Sequence, residues 1–224
     1  MVKKEPKLVT LITKNHKKTK RNYLKRMINQ KVKCMKISKK YSFDYWDGKR
    51  SYGYGGYHYD GRWKEIARKI IKKYKLNKDS KVLDVGCGKG YLVYELSKLL
   101  NSDKILGLDI SRYAIKKSPK KIRKQLKVFD ARQKLNFNRN YFDLVISINL
   151  IHNFVLKEVY GFIKNVVKIS KKSYISTESY RNNKELFNLQ CWALTADSFF
   201  SSEEWKWILK ENNYSRDYEL IYFT

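Results

Sequence analysis

The chain has 224 residues, 42% of them hydrophobic and 15% aromatic, which is enough for one globular domain with a sizeable core. No run approaches the roughly 18 apolar residues of a membrane span. The Lys-rich start also lacks the apolar core of a secretory signal, so we expect a cytoplasmic protein. Cys34, Cys87 and Cys191 follow no metal-ligand spacing, so neither a metal site nor a disulfide framework is predicted.

The net charge of +29 is concentrated at the start of the chain, where residues 1–40 carry 15 Lys and Arg against one acid, Glu5, a net +14. A basic face is typical of proteins that bind nucleic acid or anionic membranes. Only 11 of the 50 basic residues are Arg, the side chain best suited to bidentate phosphate and base contacts. We therefore predict a basic N-terminal arm, and nucleic acid is kept as an alternative partner only.

Residues 51–63, SYGYGGYHYDGRW, contain four of the ten glycines and four of the eighteen tyrosines of the chain. Glycine makes the backbone mobile or permits positive φ, whereas tyrosine supplies a rigid surface with a polar tip. This pairing suits either a disordered tract or a loop that folds over a ligand. Composition alone does not choose between them.

An amphipathic helix is predicted after this stretch, because apolar residues recur at helical spacing from Trp63 to Tyr74. Short β-branched runs then alternate with helical stretches. Strands are expected at 81–86, 104–110, 126–131, 142–149 and 173–179, and helices near 89–100, after Ser111, near 155–169 and at 201–212. Residues 183–200 fit either a helix that covers the pocket mouth or an extra strand, and the helix is preferred. The run 217–224 is predicted to be an antiparallel closing strand at a sheet edge. The pattern indicates a Rossmann-like, doubly wound α/β fold with a mostly parallel sheet and helices on both faces.

Three glycines, Gly86, Gly88 and Gly90, form a tight turn at the carboxyl end of the first predicted strand, preceded by Asp84. Ligands bind at this position in open α/β sheets, and glycine lets the backbone approach them closely. Asp109 ends the second predicted strand, where a carboxylate can accept hydrogen bonds from both hydroxyls of a ribose. A further hydrogen-bond acceptor, Asp130, ends the third predicted strand.

The segments VLDVGCGKG, GLDIS, FDA and FDLVISINLIHNF resemble, in order and spacing, the motifs of class I S-adenosylmethionine-dependent methyltransferases. The resemblance covers about residues 63–179 and implies a methyltransferase domain at 63–224 with S-adenosylmethionine as cofactor. That family usually closes its sheet with a β-hairpin, whereas one strand is predicted here.

The resemblance also implies the cofactor contacts. Gly86 and Gly88 would face the amino-acid and ribose portions, Asp109 the ribose hydroxyls, and Asp130 the adenine amino group. The remaining expected contacts are Asp84, through water to the methionine amino group, Ala131, through its amide, and Ile110, Ser147 and Arg62.

The fourth motif, Ser147 to Asn153, limits the chemical classes of methyl acceptor that are expected. It has neither the Asn/Asp-Pro-Pro-aromatic pattern of enzymes that methylate base amino groups nor the cysteine of those that act on pyrimidine carbon. Methyl transfer is an in-line displacement, and a hydroxyl or ammonium acceptor must also lose a proton. His152 is the predicted general base because of its near-neutral pKa and position, with Glu178 and Asp60 as weaker candidates.

Residues 41–62 are then predicted to form a Tyr/Gly-rich lid. Tyr54, Tyr57 and Tyr59 would shape the acceptor pocket, while Arg62 or a tyrosine hydroxyl would reach the methionine carboxylate. The predicted substrate is a small molecule, with a hydroxyl of a sugar or sugar derivative preferred. Three alternatives remain: an RNA methyltransferase that uses the basic arm, an N-methyltransferase with an aromatic cage, and a non-catalytic cofactor-binding subunit.

Overall fold

The computed structural model describes residues 4–13 and 21–224, and every structural statement below concerns these residues. The strands are β1 (Lys7–Leu8), β2 (Val82–Val85), β3 (Ile105–Asp109), β4 (Leu126–Val128), β5 (Phe142–Ile148), β6 (Ser170–Glu178) and β7 (Asp217–Ile221). The helices are α1 (Tyr23–Ile28), α2 (Lys31–Ser38), α3 (Phe43–Trp46), α4 (Arg62–Tyr74), α5 (Tyr91–Leu100), α6 (Arg112–Lys116), α7 (Leu156–Ile169), α8 (Asn183–Trp192) and α9 (Ser202–Glu211). Short 3-10 helices occur at Arg50–Tyr52, Lys120–Gln125 and Ile151–Asn153.

The seven strands form one sheet in the order β1-β7-β6-β5-β2-β3-β4, and all neighbouring strands in the described chain are parallel. The predicted α/β class and parallel sheet are confirmed. The prediction of an antiparallel closing strand is wrong: β7 pairs with β6 in parallel, because helices α8 and α9 lie between the two strands. A helical crossover of this length returns the chain to the end of the sheet where β6 began.

Strand β7 is also not an edge strand. Its free side pairs with β1, where the Lys7 amide donates to the Arg216 carbonyl and the Val9 amide to the Tyr218 carbonyl, both at 2.9 Å. A two-residue strand within a basic segment has no alternating pattern that the sequence could reveal.

Two apolar layers cover the faces of the sheet. Helices α4 and α5 bury Ile70 and Leu96 on one face, and helices α7 and α9 bury Phe162 and Trp205 on the other. The helix predicted from Trp63 to Tyr74 is confirmed, and Ile66, Ala67, Ile70 and Tyr74 form its buried stripe. The layers fix the carboxyl ends of β2, β3 and β5 side by side.

The N-terminal segment is attached to the sheet by Glu219 in β7, whose side chain is almost fully buried. Its carboxylate accepts the backbone amides of Leu11, Ile12 and Thr13 at 2.6, 3.1 and 2.7 Å, and the Tyr174 hydroxyl at 2.6 Å. The predicted basic arm thus contributes β1, α1 and α2 to the structure, while its residues 1–3 and 14–20 lie outside the described part.

We predict that Glu219→Ala lowers the free energy of unfolding by about 3 kcal/mol, because it leaves several buried donors without their charged acceptor. Urea denaturation followed by circular dichroism measures the loss. Asp103→Ala, at an exposed loop position, is the control and should change the stability by less than about 0.5 kcal/mol. Equal losses in the two variants would contradict the anchoring role.

Candidate functional site

The turn after β2 has the backbone geometry of a ligand-binding loop. Gly86, Gly88 and Gly90 have φ values of +83°, +57° and +72°, a region that strongly favours glycine. A Cβ atom at Gly88 would lie 2.7 Å from the Trp46 ring, so glycine is also required there by close packing. The indole nitrogen of Trp46 donates to the Ser111 hydroxyl at 2.9 Å, which fixes the ring over the turn.

Two buried carboxylates lie beneath this turn. Asp109 accepts the amides of Gly88 at 2.7 Å and Ser111 at 2.8 Å, and burial raises its pKa although these bonds favour the charged form. Burial raises the pKa of Asp84 to about 8, and the nearby charge of Asp109 adds to the effect. Both acids therefore exchange protons at a higher pH than exposed aspartates.

A cavity of about 210 Å³ opens at the carboxyl ends of β2, β3 and β5. Five predicted cofactor residues line it: Gly86, Asp109, Ile110, Asp130 and Ala131. Four others do not: Asp84 and Ser147 are buried in strands, Gly88 lies under Trp46, and Arg62 is paired with Asp60.

Asp130 follows β4 rather than ending it, because that strand stops at Val128. Its carboxylate binds the Arg132 guanidinium at 2.6 Å, and this hydrogen bond holds the pKa of Asp130 below its usual range.

The aromatic segment forms the opposite wall of the cavity. Tyr41, Tyr45, Trp46 and Tyr54 line it, and the ring of Tyr54 stacks on Trp46 with centroids 5.3 Å apart. Tyr57 and Tyr59 do not reach this cavity: the Tyr57 hydroxyl accepts from Trp63, and the Tyr59 hydroxyl donates to Glu95 in α5. Of the three tyrosines predicted for the acceptor pocket, the structure therefore brings only Tyr54 to the cavity.

A buried ion pair ties this segment to the glycine turn. The ammonium of Lys89 binds both carboxylate oxygens of Asp47 at 2.6 and 2.7 Å and the Tyr57 carbonyl at 2.7 Å. Asp47 also accepts the Tyr113 hydroxyl at 2.8 Å and the Tyr57 amide at 3.0 Å. Burial opposes ionisation, but these donors keep the pKa of Asp47 below its ordinary value. Sequence analysis missed this pair, although a charged residue among turn glycines was a usable signal.

The predicted catalytic residues do not line the cavity. The Nδ1 atom of His152 lies 3.5 Å from the Glu178 amide, and its Nε2 atom lies 3.6 Å from the Glu178 carboxylate. Burial lowers the pKa of His152, although the Glu178 charge opposes this shift. Because both ring nitrogens face Glu178, the geometry favours a structural role, and the general-base assignment stays a prediction. Asp60 pairs with Arg62 at 2.5 Å on the exposed surface.

Several lining residues were not predicted individually. Thr195 and Asp197 come from the segment after α8, and Asp197 forms an ion pair with Lys39. Asn153 donates to the Leu150 carbonyl at 3.0 Å, whereas its buried Oδ1 atom has no partner in the described residues. The predicted helix at 183–200 ends at Trp192, and the chain beyond it is irregular where it borders the cavity.

A family model for a methyltransferase domain matches residues 76–213, more than half of the chain. The chain belongs to the methyltransferase-domain family. The resemblance inferred from the four motifs is confirmed, and S-adenosylmethionine is the cofactor that this family membership indicates.

Two curated relatives of this methyltransferase domain are similar over part of their length. An uncharacterised protein of Methanocaldococcus jannaschii is 35% identical over 124 residues, 51% of this chain and 52% of the relative. The malonyl-[acyl-carrier protein] O-methyltransferase of Legionella pneumophila is 33% identical over 94 residues, 40% of this chain and 33% of the relative. The chain thus spans about half or less of the length of these relatives.

Solved structures share the fold of the methyltransferase domain. An S-adenosylmethionine-dependent methyltransferase from Archaeoglobus fulgidus aligns with a TM-score of 0.53 and 22% identity, covering 66% of this chain and 68% of that one. A Haloferax volcanii protein described as a methyltransferase was solved with the Trm112 methyltransferase activator. It aligns with a TM-score of 0.51 and 19% identity, covering 68% of this chain and 72% of that one.

Two further properties of the described residues bear on the site. No three His, Cys, Asp or Glu side chains in 4–13 and 21–224 are grouped so that they could hold a metal ion. Over the same ranges, no helix combines the length and the apolar character that crossing a bilayer requires.

We predict that Asp47→Asn destabilises the methyltransferase domain by about 3 kcal/mol, because it leaves the ammonium of Lys89, 3% exposed, buried without a counter-charge. Adding Lys89→Met should recover most of the loss, as chemical denaturation of the single and double variants would show. Asp79→Asn removes the exposed Asp79–Lys104 pair and should cost less than about 1 kcal/mol. A double variant no more stable than Asp47→Asn would contradict a coupled pair.

We also predict a pH signature of Asp84. Between about pH 4, its unfolded pKa, and about pH 8, its folded pKa, only the folded state holds the proton, so stability falls as pH rises. Asp84→Asn removes this loss, and its stability relative to wild type should rise by about 1 kcal/mol per pH unit across the window. Thermal and urea unfolding from pH 4.5 to 8 test this, with Asp103→Asn as control. Parallel curves for wild type and Asp84→Asn would contradict the raised pKa.

Proposed function

We propose that this protein transfers a methyl group from S-adenosylmethionine to a hydroxyl of a small molecule, preferably a sugar or sugar derivative. The observation that carries the proposal is the cavity at the carboxyl ends of β2, β3 and β5. One side of it presents Asp109, Ile110 and Ala131, the positions that the resemblance assigns to the cofactor, and the other presents aromatic side chains.

The residues on the first side fit an adenosyl group. Each carboxylate oxygen of Asp109 accepts one backbone amide, and an ionised carboxylate has about four acceptor sites. Capacity therefore remains for two ribose hydroxyls. Ile110 and Ala131 supply apolar surface for an adenine ring, and Asp130 supplies an acceptor for its amino group beside Arg132.

The size of the cavity supports the lid hypothesis for residues 41–62. Ligand pockets usually measure about 300–1,000 Å³, whereas this cavity measures about 210 Å³. Cofactor and acceptor together would therefore need more room than this cavity offers, as a lid that opens would provide. The segment would return over the reactants, and its rings would exclude water from the acceptor.

The bound cofactor would supply an electrophilic methyl on a sulfonium. The chain then has to align the acceptor and remove a proton from its hydroxyl. Aromatic faces suit a sugar because they pack against its apolar face while their hydroxyls form hydrogen bonds.

We predict that Asp109→Ala weakens binding of S-adenosylhomocysteine, the demethylated cofactor product, by about 1.5–3 kcal/mol, the cost of losing charge-assisted hydrogen bonds. Isothermal titration calorimetry on the full chain measures this, with Asp103→Ala as the matched control on the loop before β3. An unchanged dissociation constant in Asp109→Ala would refute the cofactor placement. Absence of binding to the wild-type chain would refute the proposed activity.

A further inference from the structure

A second group of side chains lies at the end of α8, away from the cofactor side of the cavity. The guanidinium carbons of Arg21, Arg26 and Arg50 lie 5.2, 4.3 and 5.0 Å from the centre of the Trp192 ring. These three arginines, together with Trp192 and Lys31, are called the Trp192 cluster below. Residues distant in sequence thus bring several positive charges to one aromatic ring.

Lys31 completes the cluster from helix α2. Its ammonium donates to the carbonyls of Cys191, at 2.7 Å, and Ala193, so it is held beside the backbone that carries Trp192. Burial lowers the pKa of Lys31 to about 8, and the neighbouring Arg26 charge adds to the shift.

The positive charges of Arg26, Arg50 and Lys31 are only partly compensated, since the charge of Glu178 acts on Lys31 without forming an ion pair with it. Within the described residues, no ion pair joins a carboxylate side chain to Arg26, Arg50 or Lys31. Burial and the charge of Arg50 lower the pKa of Arg26 to about 10, and the buried Nε atom of Arg26 has no hydrogen-bond partner among the described atoms. Like charges at such distances are stable only at a cost that a bound anion would remove.

The cluster lies next to the cavity. Arg50 donates to the Gly53 carbonyl, immediately before Tyr54, a lining residue of the cavity. On the other side, Thr195 and Asp197 line the cavity and follow Trp192 by three and five residues. Five residues span at most about 17 Å, so a metabolite-sized molecule could contact both places.

We propose that the Trp192 cluster binds the phosphate of the acceptor, which makes the acceptor a sugar carrying a monophosphate or diphosphate group. The inference rests on the proposed function, because it assigns the substrate class of the same site. Several cations favour a multiply charged anion over a single carboxylate. Guanidinium groups also bind two phosphate oxygens in parallel, which a neutral sugar could not offer.

Pyrophosphate is a suitable probe of the cluster. Titrated calorimetrically into the full chain saturated with S-adenosylhomocysteine, it should bind at one saturable site. Arg26→Gln and Arg50→Gln should each weaken this binding at least tenfold, about 1.4 kcal/mol, because each removes a charge-assisted contact. Lys25→Gln removes the same charge from an exposed neighbour on α1 and should change the dissociation constant less than twofold.

The outcomes separate this inference from the proposed function. An equal loss of pyrophosphate affinity in Lys25→Gln, or pyrophosphate binding that does not saturate, would indicate nonspecific attraction to a basic chain. Either result would overturn the phosphate site. Arg50 is exposed, so Arg50→Gln tests the site even where Arg26→Gln unfolds, and unchanged affinity for S-adenosylhomocysteine shows that each variant is folded. Pyrophosphate binding in a wild-type chain that does not bind S-adenosylhomocysteine would support the phosphate site and refute methyl transfer.

An RNA acceptor would give a different result. A single-stranded RNA of about 12 nucleotides, within the roughly 4–16 nucleotides that one OB fold binds, should compete with pyrophosphate only weakly. If the RNA binds at a lower concentration than pyrophosphate and prevents pyrophosphate from binding, with a steep salt dependence, the small-molecule assignment is overturned.

Discussion

The ion pair between Lys89 and Asp47 is the interaction on which the candidate site depends. It joins the glycine turn to the aromatic segment of residues 41–62, which lies outside the part of the chain that the family model matches. Lys89 and Asp47 also bind the Tyr57 carbonyl and amide, so the backbone that follows Trp46 and Tyr54 is held beside the turn. Together with the hydrogen bond from Trp46 to Ser111, the pair holds the aromatic wall of the cavity against the glycine turn.

Charge is divided between the glycine turn and the Trp192 cluster. Asp84 and Asp109 lie buried at the glycine turn, where burial and the charge of Asp109 raise the pKa of Asp84. Arginines lie on the far side, around Trp192.

The sequence predicts the parts of this protein that obey local rules. The alternation of strands and helices, the glycine turn and Asp109 follow from periodicity and from positive-φ chemistry, and the structure places them as expected. Contacts between distant segments could not be predicted in the same way. The pairing of β1 with β7 and the meeting of Arg26 with Arg50 at Trp192 depend on tertiary packing. For the same reason, His152 follows the fourth motif as predicted but packs against Glu178 instead of facing the cavity.

The pairing of β1 with β7 has a consequence for how the chain is made. Leu11 and Glu219, which meet in the folded protein, are 208 residues apart, so the ribosome releases the first long before the second exists. Until then, Leu11 and Ile12 lack the Glu219 carboxylate that holds their backbone against the core. Contacts of such long range form slowly, and exposed apolar segments favour association between unfinished chains. The surrounding lysines keep this waiting segment strongly charged, which opposes that association during synthesis.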